Sequence, residues 1–343
     1  MMRDNVALLA LDAACRMGAG RWSAWTIRHD PDFFALFRVA GVRAHVGAAM
    51  DGAERVIATV TIVEQPIVGD QGIDTALYVS GWQVHPAYRG RGVGDALARW
   101  AIDRCLTIGG PTSVGWFVAA GSGARLRSRL ARLDPSLAMS RPSALRLYCL
   151  RTFHWRSAMR FGRLVVRPAR PDDVVEMAAL WDSAALARRL APRLDVAVLE
   201  RWRSHVMTDA PACYWVVRDA SGTLRGFMGL WDQRAVKHLH LERPLPWPRA
   251  GPRFPCLVAT HPCVPLDAPD VARALLSTAS RAACRAGVRR ILVMADAADS
   301  LATVCREWSA RSQPYTATAV SRCATGLFAE TDRRPVHMET GIA

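Results

Sequence analysis

Lysine is almost missing from this 343-residue chain: Lys237 is the only one, so arginine supplies nearly all of the 45 basic side chains that face 30 acidic ones. The net charge of +15 is spread along the sequence, with no basic block and no aromatic-basic platform, which argues against nucleic-acid binding. Long apolar runs are also lacking. None reaches the roughly 18 to 20 residues of a membrane span. The first apolar stretch, Val6 to Cys15, is broken by Asp12 and has no basic leader, so a soluble cytoplasmic protein without a membrane partner is expected. The nine cysteines are odd in number and scattered, with no Cys-x-x-Cys pair, which disfavours a disulfide framework and a zinc site. His238 and His240 would share a strand face, but without a carboxylate or cysteine partner they do not make a metal site, and no metal is expected.

What remains is a chain able to bury real cores, with 51% apolar residues and 12 tryptophans. Its length suits two domains. Elements of similar kind recur in the same order in two halves. In the first, a helix over Asn5 to Cys15 and a short helix capped by Asp30-Pro31 precede a hairpin turning at Asp51-Gly52, with arms Ala44 to Met50 and Val56 to Val63. A strand Leu77 to Val84 leads to an amphipathic helix carrying Val93, Leu97, Trp100, Ala101 and Cys105 on one face; strand Val114 to Ala119, helix Arg125 to Leu133 and strand Leu145 to Phe153 follow. The second half offers strand Leu164 to Val166, a helix capped at Asp172-Asp173 and a hairpin at Asp219 to Gly222. Phe254 to Thr260 is then a strand ending on His261-Pro262, an echo of His85-Pro86; a helix over Val271 to Ala286, strand Ile291 to Met294 and a helix over Ser300 to Ser309 complete it. The expected domains are 1–158 and 162–343, and the second is expected to fold alone.

The chemistry-bearing segment is Arg89-Gly90-Arg91-Gly92-Val93-Gly94, between the strand ending at Val84 and a helix. Glycines there let the backbone approach a phosphate closely and turn N–H groups toward it at a helix N-terminus, and Arg89 and Arg91 add charge-assisted donors. With the preceding Val84-His85-Pro86-Ala87-Tyr88, this segment resembles the acyl-CoA signature of the GNAT superfamily of N-acyltransferases, over about Asn5 to Phe153.

The resemblance implies an α/β fold (α+β by stricter usage) of two GNAT-like mixed sheets flanked by helices. It implies acetyl-CoA as co-substrate, with Arg89, Gly90, Arg91, Gly92, Val93, Gly94 and Asp95 at the pyrophosphate and Trp82, Gln83 and Val84 along the pantetheine arm. Gly81 stands where a bulge would splay the sheet to admit it. The acceptor would be the amine of a small molecule or peptide. The glutamate base of many relatives is absent from the strand, which carries Tyr78 instead; Glu64, Asp70 and Asp74 are the nearby carboxylates, Glu64 foremost. The family's usual tyrosine, which protonates the thiolate, is missing from Gly121 to Leu133, leaving Tyr148 as the substitute. Trp22, Trp25, Phe33 and Phe34 fall where relatives build the acceptor pocket. The segment after His261-Pro262 has two prolines, two carboxylates and no glycine, so the second half reads as a degenerate copy that does not hold a pyrophosphate. The same signature without turnover would make an acyl-CoA-binding regulatory module. Because only Met1 to Arg3 precede the first helix cap, the first half is expected to lack its opening strand. Ala44 to Met50 would then be covered by another segment or a homodimer partner, or the natural start would lie upstream of Met1.

Overall fold

The computed structural model describes residues 2–15, 25–29, 32–69, 72–110, 114–120, 123–152, 162–205, 214–233, 236–241, 256–308, 312–322 and 334–338. In the first half the order is α1 (Met2–Ala14), β1 (Trp25–His29), α2 (Ala35–Ala40), β2 (Arg43–Met50), β3 (Val56–Gly69), β4 (Gly72–Val84), α3 (Val93–Gly109), β5 (Val114–Ala120), α4 (Ala124–Leu133), β6 (Ala138–Met139) and β7 (Ser143–Arg151). The second half runs β8 (Val165–Pro168), α5 (Asp173–Leu186), α6 (Val196–His205), β9 (Tyr214–Arg218), β10 (Leu224–Trp231), β11 (Lys237–Leu241), β12 (Cys256–Cys263), α7 (Pro269–Arg285), β13 (Arg290–Asp296), α8 (Ser300–Trp308) and β14 (Ser312–Ser321).

Local chemistry explains the hairpins. Asp51 Oδ1 accepts the backbone N–H groups of Ala53 (2.9 Å) and Arg55 (3.0 Å), closing the turn between β2 and β3. Asp219 repeats this with Ser221 (3.0 Å) and Thr223 (3.1 Å) between β9 and β10. The second hairpin, β3 with β4, is longer than the residue pattern indicates. Pro66 looks like a connection, yet it pairs with Thr75, beyond Arg43 where β2 has ended, so no ladder donor is lost on that side. Glu64 and Asp74 therefore sit within strands. The hairpin's far end reaches the second half, where Val68 N donates to Ala191 O (3.0 Å) and Arg193 N to Pro66 O (2.8 Å).

The expected α/β class holds, with helices flanking mixed β structure. The two expected sheets are joined into one. Among the described residues, twelve strands form a single sheet along β2-β3-β4-β5-β14-β7-β13-β12-β10-β9-β8, with β6 on β14; β1 and β11 form a separate pair. The joint is an exchange. β14, from the end of the chain, lies antiparallel between β5 and β7, while β7, from the first half, lies antiparallel between β14 and β13.

Helices cover both faces. α3 packs Leu97, Ala101 and Ile102 on Ile62, Leu77 and Phe117. α7 and α8 pack Leu275, Ala279 and Leu301 on Leu257, Ile291 and Tyr148. The opposite face is one continuous core across both halves, holding Leu8, Phe33, Tyr78 and Trp116 together with Trp181, Trp202 and Phe227.

Candidate active site

The site begins with a parting of strands. β4 pairs in parallel with β5 only over Ala76 to Val79 against Val114 to Phe117, so from Ser80 to Val84 that edge of β4 has no partner strand among the described residues. Gly81 causes part of this. Its φ is +59°, a bulge shifts the β3 register between Thr59 and Thr61, and Thr59 Oγ1 donates to Gly81 O (3.2 Å).

The open edge ends at the glycine loop. A 3-10 turn, Pro86–Tyr88, carries the chain into Gly90 (φ +77°) and Gly92 (φ +81°), the latter capping α3. Space around both Cβ positions is empty to 4 Å. In the first turn, Val93 and Gly94 have no intrahelical acceptor for their N–H groups, so an anion can meet bare backbone donors there. Arg89 directs Nε to Val84 O (3.1 Å), and the Arg91 guanidinium lies 5.3 Å from the Tyr88 ring centre. Asp95 is ion-paired with Arg129, which holds its carboxyl below the usual range, and Arg129 also lies over the Trp82 ring at 5.6 Å. Trp82, Arg129 and Asp95 thus brace the helix side of the opening, and Gln83 projects to the opposite face toward α1.

The two residues proposed for proton transfer are placed apart. Glu64, on β3, lies across from Leu77; its Oε1 accepts from His45 Nε2 (2.6 Å), whose Nδ1 accepts from Arg104 (3.1 Å). Tyr148 sits in the core under α7 and α8, opposite Val293 and Ser312 in the ladders, its hydroxyl without a hydrogen-bond partner among the described residues. Burial raises its pKa. Tyr78 is buried on the other face against Trp116, ring centres 4.4 Å apart, and burial pushes its hydroxyl far up as well. Phe33 is buried and Phe34 packs on it. Asp70, Trp22 and the side chains of Trp25, His238 and His240 lie outside the described residues.

One cluster has no counterpart in the motif. Asp12, 2% exposed on α1, binds His29 Nδ1 (2.5 Å) through Oδ2 and accepts Gln83 Nε2 (2.9 Å) at Oδ1. A carboxylate inside the apolar run of α1 was the available sign, since a buried Asp needs donors. Its partners, 17 and 71 positions away, are set only by packing.

The second half opens similarly and is then filled. β12 pairs with β13 only over Cys256 to Val258, and its bulge against β10 falls between Thr260 and Cys263. His261 (φ +46°) thereby takes the place of Gly81, so the His-Pro echo in the sequence is not a structural equivalence. Its imidazole is buried, Nδ1 lying 2.7 Å from the Tyr214 hydroxyl. Arg188, 4% exposed, donates to Val264 O (2.6 Å) and Asp299 Oδ2 (2.9 Å), and Ser300 Oγ donates to Pro265 O (2.7 Å). These contacts occupy the strand end that stays open in the first half. Asp267 and Asp270 lie beside the start of α7. Among the described residues, no three His, Cys, Asp or Glu side chains gather to hold a metal, and no helix is long and apolar enough to cross a membrane.

A strand parted at a bulge and ended on a glycine-lined helix N-terminus is the geometry that the site presents. Residues 10–126 match the model of the acetyltransferase (GNAT) family, so the first half of the chain contains a segment similar to that family's domain. The architecture is similar to that of Saccharomyces cerevisiae N-myristoyltransferase with bound myristoyl-CoA (TM-score 0.64, 10% identity, 97% of this chain and 86% of that one). It is also similar to a GCN5-related N-acetyltransferase from Sphaerobacter thermophilus (TM-score 0.56, 14% identity, 84% of this chain and 83% of that one). No curated protein matches by sequence.

Proposed function

We propose that this chain is an acyltransferase that moves the acetyl group of acetyl-CoA to a primary amine of a small molecule or peptide in the cytoplasm. The carrying observation is the open edge of β4 from Ser80 to Val84, leading directly to the capless amides of α3. An extended, amide-bearing arm pairs with such an edge as an added strand, while its pyrophosphate takes the helix N-terminus. The site residues in this reading are Trp82, Gln83 and Val84 for the arm and Arg89 to Asp95 for the phosphates. With the arm fixed, the amine attacks the thioester from the α1 face, and much of the acceleration comes from placement.

Calorimetry should find one acetyl-CoA per chain, and CoA thiol should be released on adding a polyamine, an aminoglycoside, amino acids or short peptides with free N-termini. Myristoyl-CoA serves as the comparison donor, because the yeast neighbour was solved with it. Faster transfer from myristoyl-CoA would overturn the acetyl assignment. The distance of Tyr148 from the opening favours a second reading, a regulatory module that binds acetyl-CoA without turnover; tight binding with no thiol release from any amine would establish it.

A further inference from the structure

We propose that His29 is the base that takes the proton of the acceptor amine, with Asp12 and Gln83 as its positioning residues; this rests on the acyltransfer reading above. The three side chains come from separate elements, β1, α1 and β4, and meet over the open edge. A carboxylate can only accept, so the Asp12 Oδ2 contact at 2.5 Å places a proton on His29 Nδ1, and in the neutral imidazole the lone pair is then on Nε2. Nε2 has no partner among the described residues, and the imidazole is 12% exposed, held on its face by Phe33 with ring centres 4.9 Å apart. Gln83 is turned by Asp12 so that Nε2 donates to it (2.9 Å), while Gln83 Oε1 is buried with no donor among the described residues. Such an oxygen is costly to leave empty. An amine N–H supplies the missing donor.

The location fits the chemistry. Gln83 lies in the part of β4 that β5 leaves open, and Arg89 of the glycine loop faces Cys15 at the end of α1, as does Asp12, which ties the cluster to the phosphate end. Lys237 is directly across from His29 in the β1–β11 ladder; burial brings its ammonium down to about 8, while Asp12 and Cys256 favour its charge. Asp12, Lys237, Gln83 and Phe33 are thus the groups gathered around the imidazole.

The step balances without a further reactant. An arriving ammonium gives one proton to His29 Nε2; the freed nitrogen lone pair bonds to the thioester carbonyl carbon; the carbon–sulfur bond breaks. The imidazolium proton goes to the departing CoA thiolate, and the second amine proton leaves to water, giving amide and free CoA.

The test uses the full chain and whichever amine of the panel the wild type acylates fastest. In His29→Gln, acetyl-CoA affinity by calorimetry should stay within about twofold while kcat falls about 100-fold or more, and the acid limb of kcat/KM against pH should vanish. Added imidazole should restore part of the rate in His29→Ala, which a structural role would not allow. Asp12→Asn should lower kcat and leave acetyl-CoA binding intact. A His29→Gln enzyme with kcat within threefold of wild type and an unchanged pH profile overturns the dyad alone. A wild type that binds no acetyl-CoA, or binds it and acylates no amine, overturns the parent reading and this one together.

Discussion

Gly92 stands at φ +81° with open space where a side chain would go, so a substituent there meets strain from its own backbone and not from neighbours. Gly92→Val should therefore fold with its melting temperature lowered by a few degrees and lose acetyl-CoA affinity by more than about tenfold, because close approach of the pyrophosphate is blocked. Unchanged calorimetric affinity would remove the loop from the binding site. Residues of this kind were readable from sequence because the local backbone determines their role: the strand–glycine loop–helix context marked Gly92 at the helix start, and the family resemblance implied a bulge at Gly81. The equivalence of His261 to Gly81 was not readable, since the strand register that aligns them depends on the bulge against β10. The pairing of Asp12 with His29 was hidden for the same reason. Only the packing of α1 against β1 brings them together.

At the level of elements, the start of α5 and the filled end of β12 each give a testable difference between the halves. Asp173, buried at the first turn of α5, is bidentate with Arg167 (2.6 and 2.7 Å), accepts Arg218 Nη2 (2.7 Å) and accepts the Arg170 amide (2.6 Å). The Arg167 hydrogen bonds, chiefly, hold its carboxyl well below the usual range even though burial acts to raise it. A depressed folded-state value means stability present above the unfolded value, about 3.9, and lost as pH falls from there toward the folded one. Asp173→Asn should cost about 2 to 3 kcal/mol at pH 7 in urea unfolding, less than for a fully buried pair because both arginines are partly wet. The deficit should shrink below about pH 4; a gap that stays constant into acid would refute the linkage. At β12, Arg188 bound to Val264 O and Asp299 replaces the open edge found on β4. Calorimetry on Gly92→Val should then show no residual acetyl-CoA site, and any remaining stoichiometric binding would place a site in the second half. The start of α5 at Asp172-Asp173 was legible, although the Asp172 side chain makes no cap hydrogen bond and Asp173 accepts the Arg170 amide instead. β14 was not, because Ser312 to Ser321 mixes Gln, Pro and Thr among small apolar residues and its two neighbours come from distant sequence.

For the whole molecule, the exchange of β7 and β14 changes what the two halves are. Each half contributes a strand to the interior of the other's ladder, so neither has a complete sheet by itself: without β14, β5 and β7 lose their common neighbour, and without β7, β13 loses the strand on its outer side. The shared core on the α1 and α5 face adds to this, since Tyr78 and Trp116 belong to the same apolar cluster as Trp181 and Phe227. The expectation that residues from 162 onward fold alone therefore gives way to a different one. Residues 1–160 and 162–343, made separately, should each be unfolded or aggregated, with unpaired interior strands exposed as templates for association. Made together, they should recover a soluble complex that binds acetyl-CoA. The intact chain should unfold in urea in one transition, with tryptophan fluorescence and far-ultraviolet circular dichroism coinciding. Two resolved transitions, or a second half that by itself gives a cooperative melt, would show that the exchanged strands are dispensable and that each half carries its own stable core.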